Sequence, residues 1–135
     1  MADKQAVTEL LNRAGVAYDT ADTQFLTEMF VDDGAAFHMT IAGGDIIAFE
    51  GKETIGRLFS DSLVEQTDQR RHVITNIYFQ DETDDSITAI SYLVLIAVEN
   101  GALAVLSSGI YTDTCVNQNG AWKLQKRRLD LDLPY

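Results

Sequence analysis

The second half of the chain decides its fold, and from residue 72 to residue 131 it reads HVITNIYFQDETDDSITAISYLVLIAVENGALAVLSSGIYTDTCVNQNGAWKLQKRRLDL. Val, Ile, Tyr and Thr are frequent here, as is typical of β-strands. We predict four strands, at 72–79, 86–98, 103–116 and 122–131. The turns between them are Asp84-Asp85, Asn100-Gly101 and Asn119-Gly120, which supply the positive φ angles of antiparallel hairpins. The second half is therefore predicted to be an antiparallel meander.

The length of these strands predicts a curved sheet. Two of them exceed the usual five or six residues. Long strands stay within a small domain only by twisting and bending, often at a glycine such as Gly109. A bent sheet has a concave face that other elements can cover.

The first half of the chain supplies covering helices. Apolar residues recur every three or four positions from Val7 to Tyr18, which predicts an amphipathic helix with Asp3 as its N-cap. Asp22 is placed to cap a short second helix, and a third begins near Gly51.

A β-hairpin is predicted between the second and third helices. Residues 35–41 and 45–50 flank Gly43-Gly44, a pair typical of tight turns. The length of 135 residues suits one domain. We therefore predict one α+β domain over residues 1–135, whose sheet and three helices enclose an apolar pocket.

Composition excludes several classes of function. The net charge of −11 opposes binding to nucleic acid and to anionic lipid. One cysteine, Cys115, leaves no disulfide and too few thiolates for a structural zinc site. Neither a Gly-rich phosphate loop nor a His and Cys ligand spacing is present, so we expect no cofactor and no metal. Without an apolar leader or a membrane-length apolar run, we expect a cytoplasmic protein.

Both faces of the strand at 86–98 are apolar. One face has Ile90, Tyr92, Val94 and Ile96, and the other has Ile87, Leu93 and Leu95. A half-solvated sheet would have polar residues on one side. We therefore predict a homo-oligomer, a dimer or trimer, in which a second subunit covers one face.

The two histidines are the first candidates for a base near neutral pH. His72 opens a predicted strand and shares a face with Ile74, Asn76 and Tyr78 if strict alternation holds. His38 lies in the first hairpin. From spacing alone, each is also open to interpretation as an ordinary structural histidine, His38 more so than His72.

Asp19 ends the first helix on its apolar stripe, where an unpaired carboxylate would be costly. A carboxylate that accepts a hydrogen bond from one imidazole nitrogen fixes the tautomer and leaves the other nitrogen as a base. The alternative is that Asp19 only ends the helix, as a turn cap.

Other side chains are candidates for holding a substrate oxygen. Tyr18, Tyr92 and Tyr111 offer phenol groups, although tyrosines in strands also serve packing. Arg127 shares a face with Leu129 and Leu131, so this cation needs an anion or a polar partner. The spacing leaves open whether that partner is a substrate or a carboxylate of the protein.

The order of elements and four sequence stretches resemble the SnoaL-like branch of the nuclear-transport-factor-2-like superfamily. The stretches are 7–19, ending in Tyr-Asp; Phe-Val-Asp-Asp at 30–33; His-Val-Ile-Thr-Asn at 72–76; and the last hairpin, 111–127, with Gly-Ala-Trp-Lys-Leu at 120–124. The resemblance implies a cystatin-like α+β barrel with a cone-shaped pocket. It is closest to the scytalone dehydratase and hexachlorocyclohexane dehydrochlorinase group.

That group uses an Asp and His pair to abstract a proton, and Asp19 and His72 match the pair by position. The resemblance also implies that Arg127 lies in the pocket. It implies further lining residues, which are Tyr92, Ser107, Tyr111, Leu129 and Leu131. Two features depart from the group: Ala14 replaces a pocket lysine of the dehydrochlorinase, and the meander lacks the second histidine of scytalone dehydratase.

We therefore expect a cofactor-free lyase or isomerase of the dehydratase type, acting on a small cyclic hydrophobic or aromatic molecule. Asp19 and His72 are its expected catalytic residues. Two alternatives remain open. One is a non-catalytic protein that binds a hydrophobic ligand, and the other is an enzyme similar to the polyketide cyclases.

Overall fold

The computed structural model describes residues 1–135, which form three helices and six strands. The helices are α1 (Lys4–Asp19), α2 (Thr23–Glu28) and α3 (Lys52–Val64). The strands are β1 (Ala36–Ile41), β2 (Ile47–Glu50), β3 (Gln69–Gln80), β4 (Ser86–Glu99), β5 (Ala102–Gln118) and β6 (Ala121–Leu131). No helix is both long enough and apolar enough to cross a membrane.

The helices begin where the sequence predicts. The Asp3 carboxylate accepts a hydrogen bond from the backbone N–H of Ala6, and the Asp22 carboxylate accepts one from Phe25. These bonds satisfy N–H groups that the first turn of a helix leaves unpaired. Gly51 precedes α3 with a φ of 90°, a conformation that costs glycine little.

The six strands form one curved sheet in the order β2-β1-β6-β5-β4-β3. All neighbouring pairs are antiparallel except β1 and β6, which run parallel. This confirms the predicted α+β class and the mainly antiparallel sheet. The sheet is open, since β2 and β3 are its two edges.

β-Bulges change the alternation within three strands. In β3, Thr75 pairs with Tyr92 but Tyr78 pairs with Ile90, and Asn76 has a φ of 55°. The extra residue turns the following side chains to the opposite faces. The prediction that Tyr78 shares a face with His72 is therefore wrong, and Tyr78 is 54% exposed. Similar register shifts lie between β4 and β5 and between β5 and β6.

The first turn of the meander and the start of β3 also differ from the prediction. The last two turns have positive φ angles at their Asn-Gly pairs as expected, but in the first turn the positive φ belongs to Asp81 rather than to Asp84 or Asp85. β3 begins at Gln69, three residues before the start of the predicted strand at 72–79. Backbone pairing with β4 continues there, because Gln69 lies opposite Val98.

The helices cover the concave face of the sheet, which we call the inner face. A cluster of 21 buried residues fills the space between them, including Leu11, Phe30, Ile55 and Leu93. The opposite, outer face has no covering element in the chain. Apolar side chains at least 39% exposed lie on it, namely Val73, Tyr78, Tyr92, Val98, Leu103, Val105 and Ile110.

Gly109 lies where β5 approaches β6 too closely for a side chain. A Cβ atom at this position would lie 2.6 Å from the carbonyl oxygen of Asp130. We expect Gly109→Ala to lower the free energy of unfolding by about 1–3 kcal/mol, because backbone atoms must move to make room. Urea denaturation would measure the change.

Gly56→Ala is the matched control. Its Cβ would approach only the side chain of Thr27, which can rotate, and alanine favours the helix. A loss for Gly56→Ala as large as that for Gly109→Ala would contradict the backbone explanation.

Candidate active site

Asp19 and His72 are hydrogen-bonded to each other. Asp19 is the last residue of α1 and His72 lies in β3, and their Oδ1 and Nδ1 atoms are 2.8 Å apart. The same Oδ1 accepts the backbone N–H of His72 at 2.9 Å. One carboxylate oxygen therefore holds both the ring and the backbone of the histidine.

Close contact between α1 and β3 makes this geometry possible. Gly15 lies one helical turn before Asp19, and a Cβ there would be 3.1 Å from the carbonyl oxygen of His72. A glycine inside a helix costs roughly 0.5–1 kcal/mol relative to alanine. Here it lets the helix backbone lie directly against the strand.

His72 is held in the form that a general base needs. Burial lowers its pKa from the ordinary value of 6.5, and the Asp19 carboxylate opposes this only in part. The ring is therefore neutral at pH 7. With Nδ1–H donating to Asp19, the lone pair is on Nε2.

Tyr18 lies against the imidazole. The two rings stack with centroids 4.6 Å apart and planes 18° apart, while the edge of Tyr18 meets Phe59. Burial raises the pKa of Tyr18 to about 12, against the effect of the nearby Arg127 charge. Its phenol is therefore protonated at neutral pH and is a hydrogen-bond donor.

Arg127 is paired with Asp113, which answers the question that the spacing left open. Nε and Nη2 donate to the two oxygens of Asp113 at 2.9 and 3.2 Å, and both side chains are buried. The guanidinium also lies 3.8 Å from the centroid of the Tyr111 ring. Its Nη1 atom is buried without a hydrogen-bond partner.

Electrostatic effects on this pair oppose one another. Burial raises the pKa of Asp113, and Arg127 opposes the rise. Burial lowers the pKa of Arg127, but Asp113 and the neighbouring tyrosines outweigh it, so the net pKa is raised. The guanidinium stays charged, and Asp113 neutralises it within the protein.

A small apolar cavity of about 100 Å³ lies beside these groups. Ten of its fourteen lining residues are hydrophobic. The lining residues are Tyr18, Phe37, Met39, Leu58, Phe59, Ser62, Leu63, Gln66, Arg70, His72, Leu93, Tyr111, Leu129 and Tyr135. A larger open depression of about 900 Å³ beside α1 shares none of these residues.

The structure brings four of the predicted residues to the cavity: Tyr18, His72, Tyr111 and Leu129. The prediction for Tyr92 is wrong, because strand alternation directs it to the outer face, where it is 48% exposed. Arg127 lies behind Tyr18 and Tyr111 rather than on the cavity wall.

Ser107 and Leu131 are buried on the inner face but do not line the cavity either. The Ser107 hydroxyl donates instead to the carbonyl oxygen of Leu133. Cys115 is buried, and burial raises its pKa to about 12. Nowhere do three or more His, Cys, Asp or Glu side chains come together as a possible metal site.

Sequence reasoning missed Asp113, Arg70 and Tyr135. Asp113 shares a face with Tyr111, but register counting along the last hairpin would not have identified its partner, because a register shift lies between the turn and Asp113. Arg70 lies before the predicted strand at 72–79, so its direction could not be inferred from strand alternation. Tyr135 follows the last predicted strand, and nothing in its local sequence indicates that it returns to the cavity.

A family model described as SnoaL-like domain matches residues 1–128. No curated protein matches the chain significantly. Among solved structures, a protein of unknown function with a cystatin-like fold from Nostoc punctiforme is 27% identical, with a TM-score of 0.80. The match covers 98% of this chain and 94% of that one.

Two further structures share the fold at lower identity. The β subunit of a putative aromatic-ring-hydroxylating dioxygenase from Novosphingobium aromaticivorans is 18% identical, with a TM-score of 0.83, over 97% of this chain and 90% of that one. Aln2 from a Streptomyces species is 22% identical, with a TM-score of 0.80, over 96% of this chain and 90% of that one.

Burial and the hydrogen bond to Asp19 together predict how His72 titrates. We expect its ring to titrate below pH 6.5, and Asp19→Asn to lower that pKa further, because the carboxylate is what opposes the effect of burial. The ring-proton NMR signals of the two histidines would measure this, with His38→Asn to assign them. A His72 pKa above 6.5 would contradict the expectation that burial outweighs the effect of the Asp19 carboxylate.

The same shift makes stability depend on pH. Since the folded pKa is lower than the unfolded value, the unfolded state binds more protons between the two. Above about pH 6.5, His72 is neutral in both states and does not lower the free energy of unfolding. As the pH falls from there toward the folded pKa, the free energy of unfolding decreases.

Proposed function

Because the chain belongs to the SnoaL-like domain family, we propose that it is a cofactor-free lyase or isomerase of the dehydratase type. One observation carries the proposal. His72 is a part-buried, neutral imidazole whose Nδ1 is fixed by Asp19 and whose ring lines an apolar cavity. This is the arrangement required of a general base.

In the proposed reaction, Nε2 of His72 removes a proton from a carbon next to a carbonyl or a leaving group. The C–H electron pair moves toward the carbonyl oxygen to form an enolate, or it forms a double bond as the leaving group departs. His72 becomes an imidazolium, which the Asp19 carboxylate at 2.8 Å stabilises. Return of the proton to another atom completes an isomerisation, and its transfer to the leaving group completes an elimination.

The proposed oxygen-binding groups are the phenols of Tyr18 and Tyr111, which line the cavity together with His72. Tyr18 stacks on His72 and keeps a protonated phenol, and Tyr111 lines the same cavity. Arg127 does not line the cavity, but its charge lies behind these phenols, against the Tyr111 ring. Donors directed at a developing oxyanion in a dry site stabilise it more strongly than they would in water.

The lining supports a small cyclic, largely apolar substrate. Hydrophobic residues dominate the cavity wall, and Phe37, Phe59 and Leu93 offer flat or branched apolar surfaces. Asp113 neutralises Arg127, so we do not propose that the site selects an anion. An enzyme of the polyketide-cyclase type would use the same base on a longer substrate.

The apolar lining of the cavity also suits a second candidate, a non-catalytic protein that binds a hydrophobic ligand. Such a ligand would have to extend beyond the cavity, since ligand sites usually enclose roughly 300–1,000 Å³, whereas this cavity measures about 100 Å³. In that case Asp19 and His72 are a structural pair. Breaking it would then cost stability, and ligand binding would weaken only as far as the fold does.

We expect the protein to catalyse exchange of the acidic C–H protons of 2-tetralone in D₂O. His72→Ala and Asp19→Asn should slow the exchange by about a hundred- to ten-thousandfold, since this is the usual contribution of a positioned base. Proton NMR would measure the rate. His38→Ala is the control, because His38 pairs with Glu50 outside the cavity.

Two results would reject the enzyme proposal. One is exchange by His72→Ala at the wild-type rate. The other is absence of exchange with 2-tetralone and a panel of related cyclic ketones, in a protein that still binds them.

We also propose that the outer face of the sheet binds a second copy of the chain. Seven large apolar side chains of β3, β4 and β5 lie exposed there, and Leu103 and Val105 are 70% and 71% exposed. Contiguous apolar patches of this kind mark interfaces. Apart from the free edge of β3, the backbone edges of these strands are already paired, so side-chain packing between two such faces would form the contact.

Val105→Asp should convert the oligomer to a monomer, because a carboxylate would be buried without a partner. Sedimentation velocity would measure the change. Val16→Asp is the control, since Val16 is 60% exposed on α1, away from the sheet. A wild-type protein that sediments with the mass of one chain would contradict the proposal.

A further inference from the structure

Arg70 is the only cation in the cavity lining and lies next to the exposed ring of Tyr135. We call this exposed side of the cavity its mouth. Its Nε donates to Asp68 at 2.9 Å, and the side chains are 23% and 15% exposed. Strand alternation places Arg70 on the same side of β3 as His72, whereas Arg71 between them is exposed. The guanidinium is therefore held at one end of the space that His72 also borders.

The ring of Tyr135 occupies this mouth. It lines the cavity, and the Arg70 guanidinium lies 5.0 Å from its centroid, within the range of a cation–π contact. Tyr135 is nevertheless 58% exposed. The chain before it is held through Leu133, whose carbonyl oxygen accepts the Ser107 hydroxyl at 2.6 Å. The ring can therefore leave Arg70 while its backbone anchor stays in place.

The space behind Tyr135 is too small for a ring-containing ligand by itself. A dry cavity of about 150 Å³ is known to hold one benzene, and this cavity measures about 100 Å³. A cyclic molecule that reaches His72 must therefore also occupy the mouth, where the aromatic ring of Tyr135 now lies.

We infer that Arg70 forms the outer wall of a stacking subsite for a planar aromatic ring, and that the ligand's ring takes the place of the Tyr135 ring. The inference rests on the proposed function only in placing the ligand beside His72. Arginine suits this role because its guanidinium is planar and stacks on aromatic faces. The proposed ligand is thus aromatic, and not merely apolar.

Tyr135 then competes with the ligand for Arg70. The apparent Kd is the intrinsic Kd divided by the fraction of molecules in which the mouth is open. Removing the ring by Tyr135→Ala should therefore tighten binding. A stacking contact on Arg at a partly exposed site corresponds to about a two- to fivefold change in affinity.

The probe is 2-naphthol, which is neutral at pH 7 and has two fused rings. Its binding is followed by the ring-proton NMR signals of His72, with His38 as an internal reference on the outer face. We expect Tyr135→Ala to lower the Kd about two- to fivefold. Tyr135→Phe keeps the ring and should leave the Kd unchanged.

A second pair of variants tests Arg70 after the competing ring has been removed. In the Tyr135→Ala background, Arg70→Gln should raise the Kd about two- to fivefold. Arg71→Gln is the matched control, because it removes the same charge from the neighbouring exposed position. Circular dichroism would establish that each variant is folded.

The inference is overturned if Tyr135→Ala weakens binding, if Arg70→Gln and Arg71→Gln behave alike, or if 2-naphthol does not shift the His72 signal. These outcomes are independent of catalysis. Naphthol binding as described, with no exchange of 2-tetralone, would reject the enzyme and keep the subsite. Exchange that depends on His72, with no effect of Arg70→Gln on naphthol, would reject the subsite alone.

Discussion

A single carboxylate oxygen, Oδ1 of Asp19, connects the helical layer to the sheet at the point where the chemistry is proposed. It accepts both the backbone N–H and the ring Nδ1 of His72. The backbone bond fixes the end of α1 against β3, and the ring bond fixes the tautomer. A part-buried carboxylate would be costly without such donors, so the interaction that satisfies Asp19 also orients the imidazole.

A second ion pair supports the other side of the cavity. Asp113 and Arg127 lie opposite each other on β5 and β6 and are completely buried. Loss of either partner would leave an uncompensated charge in the core, which typically costs about 3–5 kcal/mol. Tyr111 and Tyr18 lie between this pair and His72, so the two charged pairs are linked through aromatic rings.

Local patterns predicted the helices, their caps, the four long strands and two of the turns, because each depends on residues close in sequence. The prediction of which sheet face a side chain lies on failed where a bulge interrupts the strand. Alternation from His72 is interrupted at Asn76, and no rule of spacing locates that residue. Counting outward from the Asn119-Gly120 turn would pair Asp113 with Lys126, but the register shift beyond Thr114 pairs it with Arg127. Tyr135 reaches the cavity through tertiary contacts alone.

The parallel pairing of β1 with β6 has a consequence for how the protein is made. Phe37 lies opposite Arg127, so the edge of β1 that pairs with β6 stays unpaired until β6 has been synthesised. During synthesis the hairpin of β1 and β2 and the early meander leave the ribosome with unpaired edges and exposed apolar faces. Contacts between residues so distant in sequence form late and slowly. The nascent chain thus passes through a period in which chaperones have a surface to bind and aggregation competes with folding.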